Sequence, residues 1–546
     1  MMRNNILLFS NIHRMMSTSF LLLMTLFLSG CDDEDTLSLS GKSIIYCAEG
    51  SPENFNPQTA ISGTTIDATT NQIYNRLITF NEKNNSITPS LAKSWHVTRD
   101  GKMVTFYLRK DVEYHTTDYF TPTRTFNAND VIFSFKRILD THHQYHYVSG
   151  GKYPFFEMVK FNALVDKVEK INNYTVRFKL HHADSSFLAN LATDFAVILS
   201  AEYAQKLSEE YASQQIDILP IGTGPFKLKE YRVGSFIRYY RHESYWQGKA
   251  ALEQLVFDIT PSNTGRLTKL LTNECDISAY PIAHENIIKR KELMLTSVIS
   301  LNTSYLGFNT QQAPFDNIQV RQALSYAIDK QAIINTVYFG QAEIANSLLP
   351  PTSWAFDDTI KNKSYSIEKA KELLINAGYK NGFTINLWVM PMQRTYGPNT
   401  LTIAKLIKAE LGKIAIKVNL ITPETDEFLT DINQGKHQAV LLDWTADHPD
   451  PDNFFTSLLS CNSKHSFSKS TSWCNNNFEK LLQKSLQTNN INRRKKYYAQ
   501  ALAMIDDEVP LIPIAHSKRS QAQHKKIEGD ILHSFGGINF TQVTKN

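Results

Sequence analysis

Between residues 383 and 444 the chain alternates strand-like and helix-like stretches: strands are expected at 383–390, 417–421 and 439–444, and a helix at 401–411. Strands that alternate with helices pack as parallel βαβ units, with helices laid over the sheet faces. The earlier chain reads differently. A strand at 43–48 precedes a Pro/Asn loop and a helix at 66–77, and strands at 104–108 and 175–180 bracket a helix that begins near Asn129, a mixed α+β pattern. Further helices are expected at 366–377, with Ser366 as cap and Gly378 as stop, and as one long element at 316–338. A chain of 546 residues exceeds what one core can organise, so these patterns are assigned to two or three lobes.

The amino terminus carries basic Arg14 and then an apolar run at 20–28 that is too short to span a bilayer comfortably, the form of a secretion signal. It ends in Leu28-Ser29-Gly30-Cys31, which resembles the bacterial lipobox. Residues 1–30 are therefore read as a lipoprotein signal peptide and Cys31 as the acylated residue. Acyl chains tether a protein by about 0.8 kcal/mol per buried methylene. In the sorting pattern of diderm bacteria, Asp32 and Asp33 after such a Cys resemble a signal to stay at the inner membrane.

Four other cysteines remain, Cys47, Cys275, Cys461 and Cys474, an even number in a chain sent to an oxidising compartment. Three pairings are open. The 12 residues between Cys461 and Cys474 make a natural stapled loop, which leaves Cys47 with Cys275. No cysteine pair has the two-residue spacing of a zinc knuckle.

Removing Arg3 and Arg14 with the signal leaves 55 basic against 53 acidic residues, which gives no electrostatic footprint for nucleic acid. Enzyme signatures are missing too: there is no Gly-x-Ser-x-Gly elbow and no His-Glu-x-x-His helix. Gly41-Lys42-Ser43 has the ending of a phosphate loop, but Thr36 stands where the first Gly is needed. His142, His143 and His146 have spacings that could share a helical face, but no acid or Cys completes a metal set, so no metal and no cofactor are expected.

Several segments carry a family resemblance, in order along the chain. They are Pro89-Ser90-Leu91-Ala92 with Trp95; Asp100-Gly101-Lys102 leading to Phe106; Phe126-Asn127-Ala128-Asn129-Asp130-Val131; and Gly222-Thr223-Gly224-Pro225-Phe226. Phe308-Asn309-Thr310, Val320-Arg321-Gln322-Ala323-Leu324 and Asp450-Pro451-Asp452-Asn453-Phe454 follow. Together they resemble the extracellular peptide-, oligopeptide- and dipeptide-binding proteins of ABC importers. Phe120-Thr121-Pro122-Thr123-Arg124, with Thr264-Gly265-Arg266-Leu267 running on to Glu274-Cys275-Asp276, is most similar to the SapA-like branch.

The resemblance implies an α/β fold: a bilobed clamshell with an extra α+β subdomain inserted early. Lobe I is expected from residues 42–73, 224–302 and 517–546, the insert from 74–223, and lobe II from 303–516. It implies a periplasmic protein that hands short peptides to a permease and ATPase and is not an enzyme; with the lipobox and Asp32-Asp33, a monomer lipid-anchored to the inner membrane is expected. Antimicrobial peptides are among the cargoes it suggests, and haem is the alternative. It supports the Cys47–Cys275 and Cys461–Cys474 pairing.

A free peptide carries an ammonium and a carboxylate, so its binder must replace the hydration of both. Asp447, in Trp444-Thr445-Ala446-Asp447-His448, matches the family position that holds the ammonium. Arg394 matches the dipeptide binders' partner for the carboxylate, where a planar guanidinium can donate two parallel bonds. Trp444 and Thr445 are expected beside the bound main chain.

Overall fold

The computed structural model describes residues 42–60, 62–81, 83–360, 363–390, 399–461 and 469–546. Strand Ser43–Ala48 is buried along nearly its whole length, as a strand with both faces covered must be. It runs parallel to its neighbours Gln254–Ile259 and Ile277–Ala279. Antiparallel strands Phe236–Arg241 and Phe226–Arg232 extend the sheet on one side. On the other, Ile277–Ala279 pairs with Leu511–His524, a strand of 14 residues that belongs to both lobes.

That long strand joins the two halves of the molecule. Its second half pairs with Leu293–Ile299 and its first half with Asn302–Phe308, so an antiparallel ribbon carries the chain across twice. The result is a 12-stranded sheet that passes unbroken through two separate apolar cores. In the second lobe Asn302–Phe308 pairs with Ala439–Thr445, which is parallel to Thr384–Val389, itself parallel to Lys417–Ile421. The βαβ alternation expected from sequence is therefore present, with helix Thr400–Gly412 burying Ile403, Ala404, Ile407 and Leu411 over the sheet.

The early subdomain is a four-stranded antiparallel sheet, in the order Ala92–Val97, Met103–Leu108, Thr175–Leu180, Val165–Asn172. Helix Ala128–Leu139 packs on it, started by a capping box between Asn127 and Asp130. Its apolar residues share one core with the first lobe. Gly222 and Gly224 press on the end of helix Gly63–Ile73, where a Cβ on either would collide with the Ile73 carbonyl. That close approach explains the glycines of the Gly-Thr-Gly-Pro motif, and the Ile73 carbonyl accepts the Gly224 N–H at 2.8 Å where the helix ends, short of the expected residue 77.

The single helix expected at 316–338 is instead two, Ile318–Ala327 and Lys330–Val337. Ile328 is extended, and Asp329 caps the second helix by accepting the Ala332 N–H at 2.9 Å. The histidine trio does not share a helical face, because the helix ends at Leu139. His142 is exposed, whereas His146 is buried with Nδ1 2.8 Å from the Arg137 carbonyl. Cys47 is bonded to Cys275 and Cys461 to Cys474, with Cα separations of 5.9 and 4.9 Å. Among the described residues no helix is long and apolar enough to cross a membrane.

Candidate ligand-binding site

The carboxyl ends of parallel strands are where open α/β sheets bind ligands. Strand Ala439–Thr445 shows why its end is free to do so. Ala439 and Leu441 face one apolar cluster, while Val440, Leu442 and Trp444 face another, so the period-two pattern anchors both surfaces. Trp444 is 6% exposed and packs in that cluster. Thr445 is exposed opposite Asn302. The strand then leaves the sheet: the Ala446 N–H bonds the Leu301 carbonyl at 2.8 Å, and Asp447 follows, beside the crossing ribbon.

Asp447 lines a cavity of about 380 Å³ together with Arg76, Asp194, His533, Phe535 and Gly536. Withdrawal from water pushes its carboxyl up to about 7, a hydrogen bond from Asn453 works against the rise, and the Asp194 charge adds to it. Asp194 itself is neutralised by Arg76 and accepts the Gly537 N–H at 2.7 Å. Gly536 has φ +73°, and a Cβ there would lie 2.7 Å from Asp194 Oδ2, so this approach requires glycine. Among the described residues no cation pairs with Asp447. It is a carboxylate held in a cavity with its countercharge still to be supplied, the arrangement that suits a ligand ammonium.

The loop around it is tied down by buried polar contacts. Asp450 takes two parallel hydrogen bonds of 2.7 Å from Arg494, which lies 5.1 Å from the Trp354 ring centre. His448 is buried and held down to about 4 by desolvation. Its Nδ1 accepts the Asp450 N–H at 3.2 Å, so its proton sits on Nε2 and is donated to Asn190 Oδ1 at 3.0 Å. Arg394 lies outside the described residues. The strand that leads towards it, Thr384–Val389, runs parallel beside Ala439–Thr445, with Val389 opposite Leu441.

Sequence reasoning singled out Asp447 but not Arg76, Asp194 or the 533–537 segment that line the cavity with it, nor the buried His448–Asn190 contact beside it. Gly536-Gly537 was the one local signal available, since adjacent glycines often mark close backbone approach.

Residues 86–466 match the model of the bacterial extracellular solute-binding proteins, family 5 Middle. The chain belongs to this family. As a family 5 solute-binding protein it is 45% identical to a dipeptide binding protein from a Pseudoalteromonas species, solved in complex with Met-Leu. The TM-score is 0.79, over 92% of this chain and 100% of that one. It is 40% identical over 507 residues to the peptide transport periplasmic protein SapA of Salmonella typhimurium, covering 92% and 91% of the two chains. It is also 40% identical over 544 residues to heme-binding protein A of Haemophilus influenzae, covering 97% and 99%. Overall likeness therefore fixes the family and leaves the ligand to be argued from the site.

Proposed function

We propose that this protein captures short peptides between its lobes and delivers them to a membrane permease driven by an ATPase. The observation that carries the reading is Asp447, a carboxylate withdrawn from water with no cation beside it among the described residues. A peptide's ammonium supplies that charge. Arg394 is the counterpart for the peptide carboxylate, and a fixed separation of the two charges selects short ligands. The dipeptide-bound relative and the peptide transport protein SapA support peptides as the cargo class.

The proposal includes the division into lobe I (42–73, 224–302, 517–546), insert (74–223) and lobe II (303–516). In support, the fully buried apolar residues fall into separate clusters on the two sides of the crossing ribbon, with the half-buried Met158 packed against both. It also includes acylation at Cys31, anchoring a monomeric periplasmic protein to the inner membrane. Labelled fatty acid is expected in the wild type and not in Cys31→Ser; equal labelling would overturn the anchor.

The test of the ligand is a cycle. Asp447→Asn keeps the shape and strips the charge, which should cost about 2–5 kcal/mol in peptide affinity. Acetylating the peptide's amine should weaken binding to the wild type for the same reason, and the two changes should be far less than additive. Calorimetry measures all four corners. Undiminished affinity of Asp447→Asn for a free-amine peptide would sink the reading. The Haemophilus relative makes haem the second reading, and haem bound in place of peptide in gently purified protein would favour it.

A further inference from the structure

The inserted subdomain does more than decorate the first lobe, because it reaches across to the loop that carries Asp447. Asn190 sits in its short helix Phe187–Leu191, and His448 is the residue after Asp447. Their side chains meet at 3.0 Å, and they are only 4% and 2% exposed. The imidazole has one usable orientation there, since its Nδ1 is already occupied by the Asp450 N–H. A second contact lies close by in sequence. The Ser185 N–H bonds the Leu486 carbonyl at 2.8 Å, and its hydroxyl bonds the Ser485 carbonyl at 3.1 Å.

These contacts join bodies that have different cores. The Asn190 helix packs in the first-lobe cluster through Phe187 and Leu191, whereas the His448 loop and the Leu482–Ser485 turn of helix Asn476–Leu486 belong to the second. The chain crosses between the lobes elsewhere, at the ribbon near Asn302 and Ser517. Any rotation about that ribbon must therefore pull Asn190 away from His448. Asn453, which hydrogen-bonds Asp447, lies 3.4 Å from the same His448 nitrogen. The latch contact and the ligand carboxylate are thus neighbours in one buried polar cluster, with Asn453 beside both.

We propose that Asn190 and His448 are positioning residues that form a latch: the inserted subdomain grips the ligand loop only in the closed protein, and so sets how long bound cargo is kept. The proposal rests on Asp447 as the ligand's amine site. Closing brings the neutral His448 N–H to its acceptor and shields the Asp447 carboxylate from water in the same movement. Opening exchanges that buried bond for one to water and re-exposes the carboxylate, so losing the contact acts on release and leaves encounter untouched.

The test is stopped-flow kinetics of a labelled dipeptide on the full chain. Asn190→Ala is expected to speed dissociation by about tenfold with association unchanged, because a buried donor loses its acceptor. His448→Phe should do the same, and the double variant should release no faster than either single one. Asn190→Ser, which keeps a short acceptor, should recover part of the loss. Unchanged dissociation in both singles, or additive effects in the double, would overturn the latch. If Asn190→Ala fails to fold, His448→Phe and Asn190→Ser carry the test. Asp447→Asn separates the two readings. Normal affinity there would fail the amine site while leaving the Asn190–His448 coupling measurable, and weakened affinity with normal release in the latch variants would fail the latch alone.

Discussion

Asn302 holds Ser517 twice: its Oδ1 accepts the Ser517 N–H at 2.8 Å, and its Nδ2 donates to the Ser517 hydroxyl. Each residue lies on one of the two chain crossings, so a single side chain ties them together at the point about which the lobes turn. Two further bonds add to the tie, the His516 side chain donating from Nδ1 to the Asn302 carbonyl at 2.7 Å and the Ser300 N–H donating to the Ser517 carbonyl at 3.1 Å. Burial holds His516 down to about 4, so this imidazole is neutral at working pH and its proton stays on Nδ1.

Asn302→Ala is expected to leave the Ser517 N–H without its acceptor, at a local cost of about 1–3 kcal/mol. Hydrogen exchange at the Ser517 amide should quicken by about tenfold or more while the sheet on either side keeps its protection. Unchanged exchange at Ser517 would mean that the ribbon is held by its ladder alone.

Arg494 and Asp450 form a buried fork, so the two residues should be sensitive singly and tolerant together. Arg494→Met leaves a buried carboxylate without its countercharge and should destabilise by about 3–5 kcal/mol. Adding Asp450→Leu should restore most of that. Calorimetric melting of the unliganded protein reads both, and a double variant no better than the single would show that the pair does not act as a unit.

The two disulfides close loops of very different length, with sequence separations of 228 and 13. In the chain-entropy account the longer loop contributes more, by about 2 kcal/mol. Cys47→Ala with Cys275→Ala should therefore lower the melting temperature further than Cys461→Ala with Cys474→Ala. Equal losses would count against loop entropy as the main cause.

What could be read from the sequence was whatever local chemistry determines. Strand Ala439–Thr445 announces itself by its apolar run, Ser366 caps its helix by accepting the Lys369 N–H at 3.1 Å, and the cysteines pair as their spacing suggested. The strand Leu511–His524 was missed because it carries Pro513, Lys518, Arg519 and two glutamines, a composition that suggests surface. Its polarity is satisfied only in the folded chain, where Arg519 meets the Gly536 carbonyl at 2.6 Å and Asp67 at 3.3 Å. Trp444 is expected beside the ligand from its motif position, and its strand face packs it into a core cluster. His448 and Asn190 are 258 residues apart, and Arg76 and Asp194 are 118 apart, so no local pattern could have joined them.

Peptide capture should depend on pH in a way that Asp447 controls. In the unliganded protein its carboxyl titrates at about 7, so below that value it is protonated and an arriving ammonium must expel the proton. Affinity should therefore rise with pH, by up to about tenfold per unit, until about pH 7. It should then level off and fall once the peptide's own amine, at about 7.7–8, begins to lose its proton. Asp447→Asn removes the acidic limb and keeps the alkaline one. Stability carries the opposite sign. A carboxyl raised in the folded state keeps its proton while the unfolded chain releases one at about 4, so its presence costs stability as pH climbs from about 4 to 7. The unliganded Asp447→Asn protein should thus match the wild type in melting temperature at about pH 4 and exceed it at about pH 8. Saturating peptide should reverse that order, because only the wild type gains a buried ion pair. The comparison cancels the contributions of Glu49 and Asp452, also raised to about 7, since both proteins keep them. Identical pH profiles for the two proteins, in binding and in melting, would show that Asp447 is a solvated acid with no part in holding the ligand.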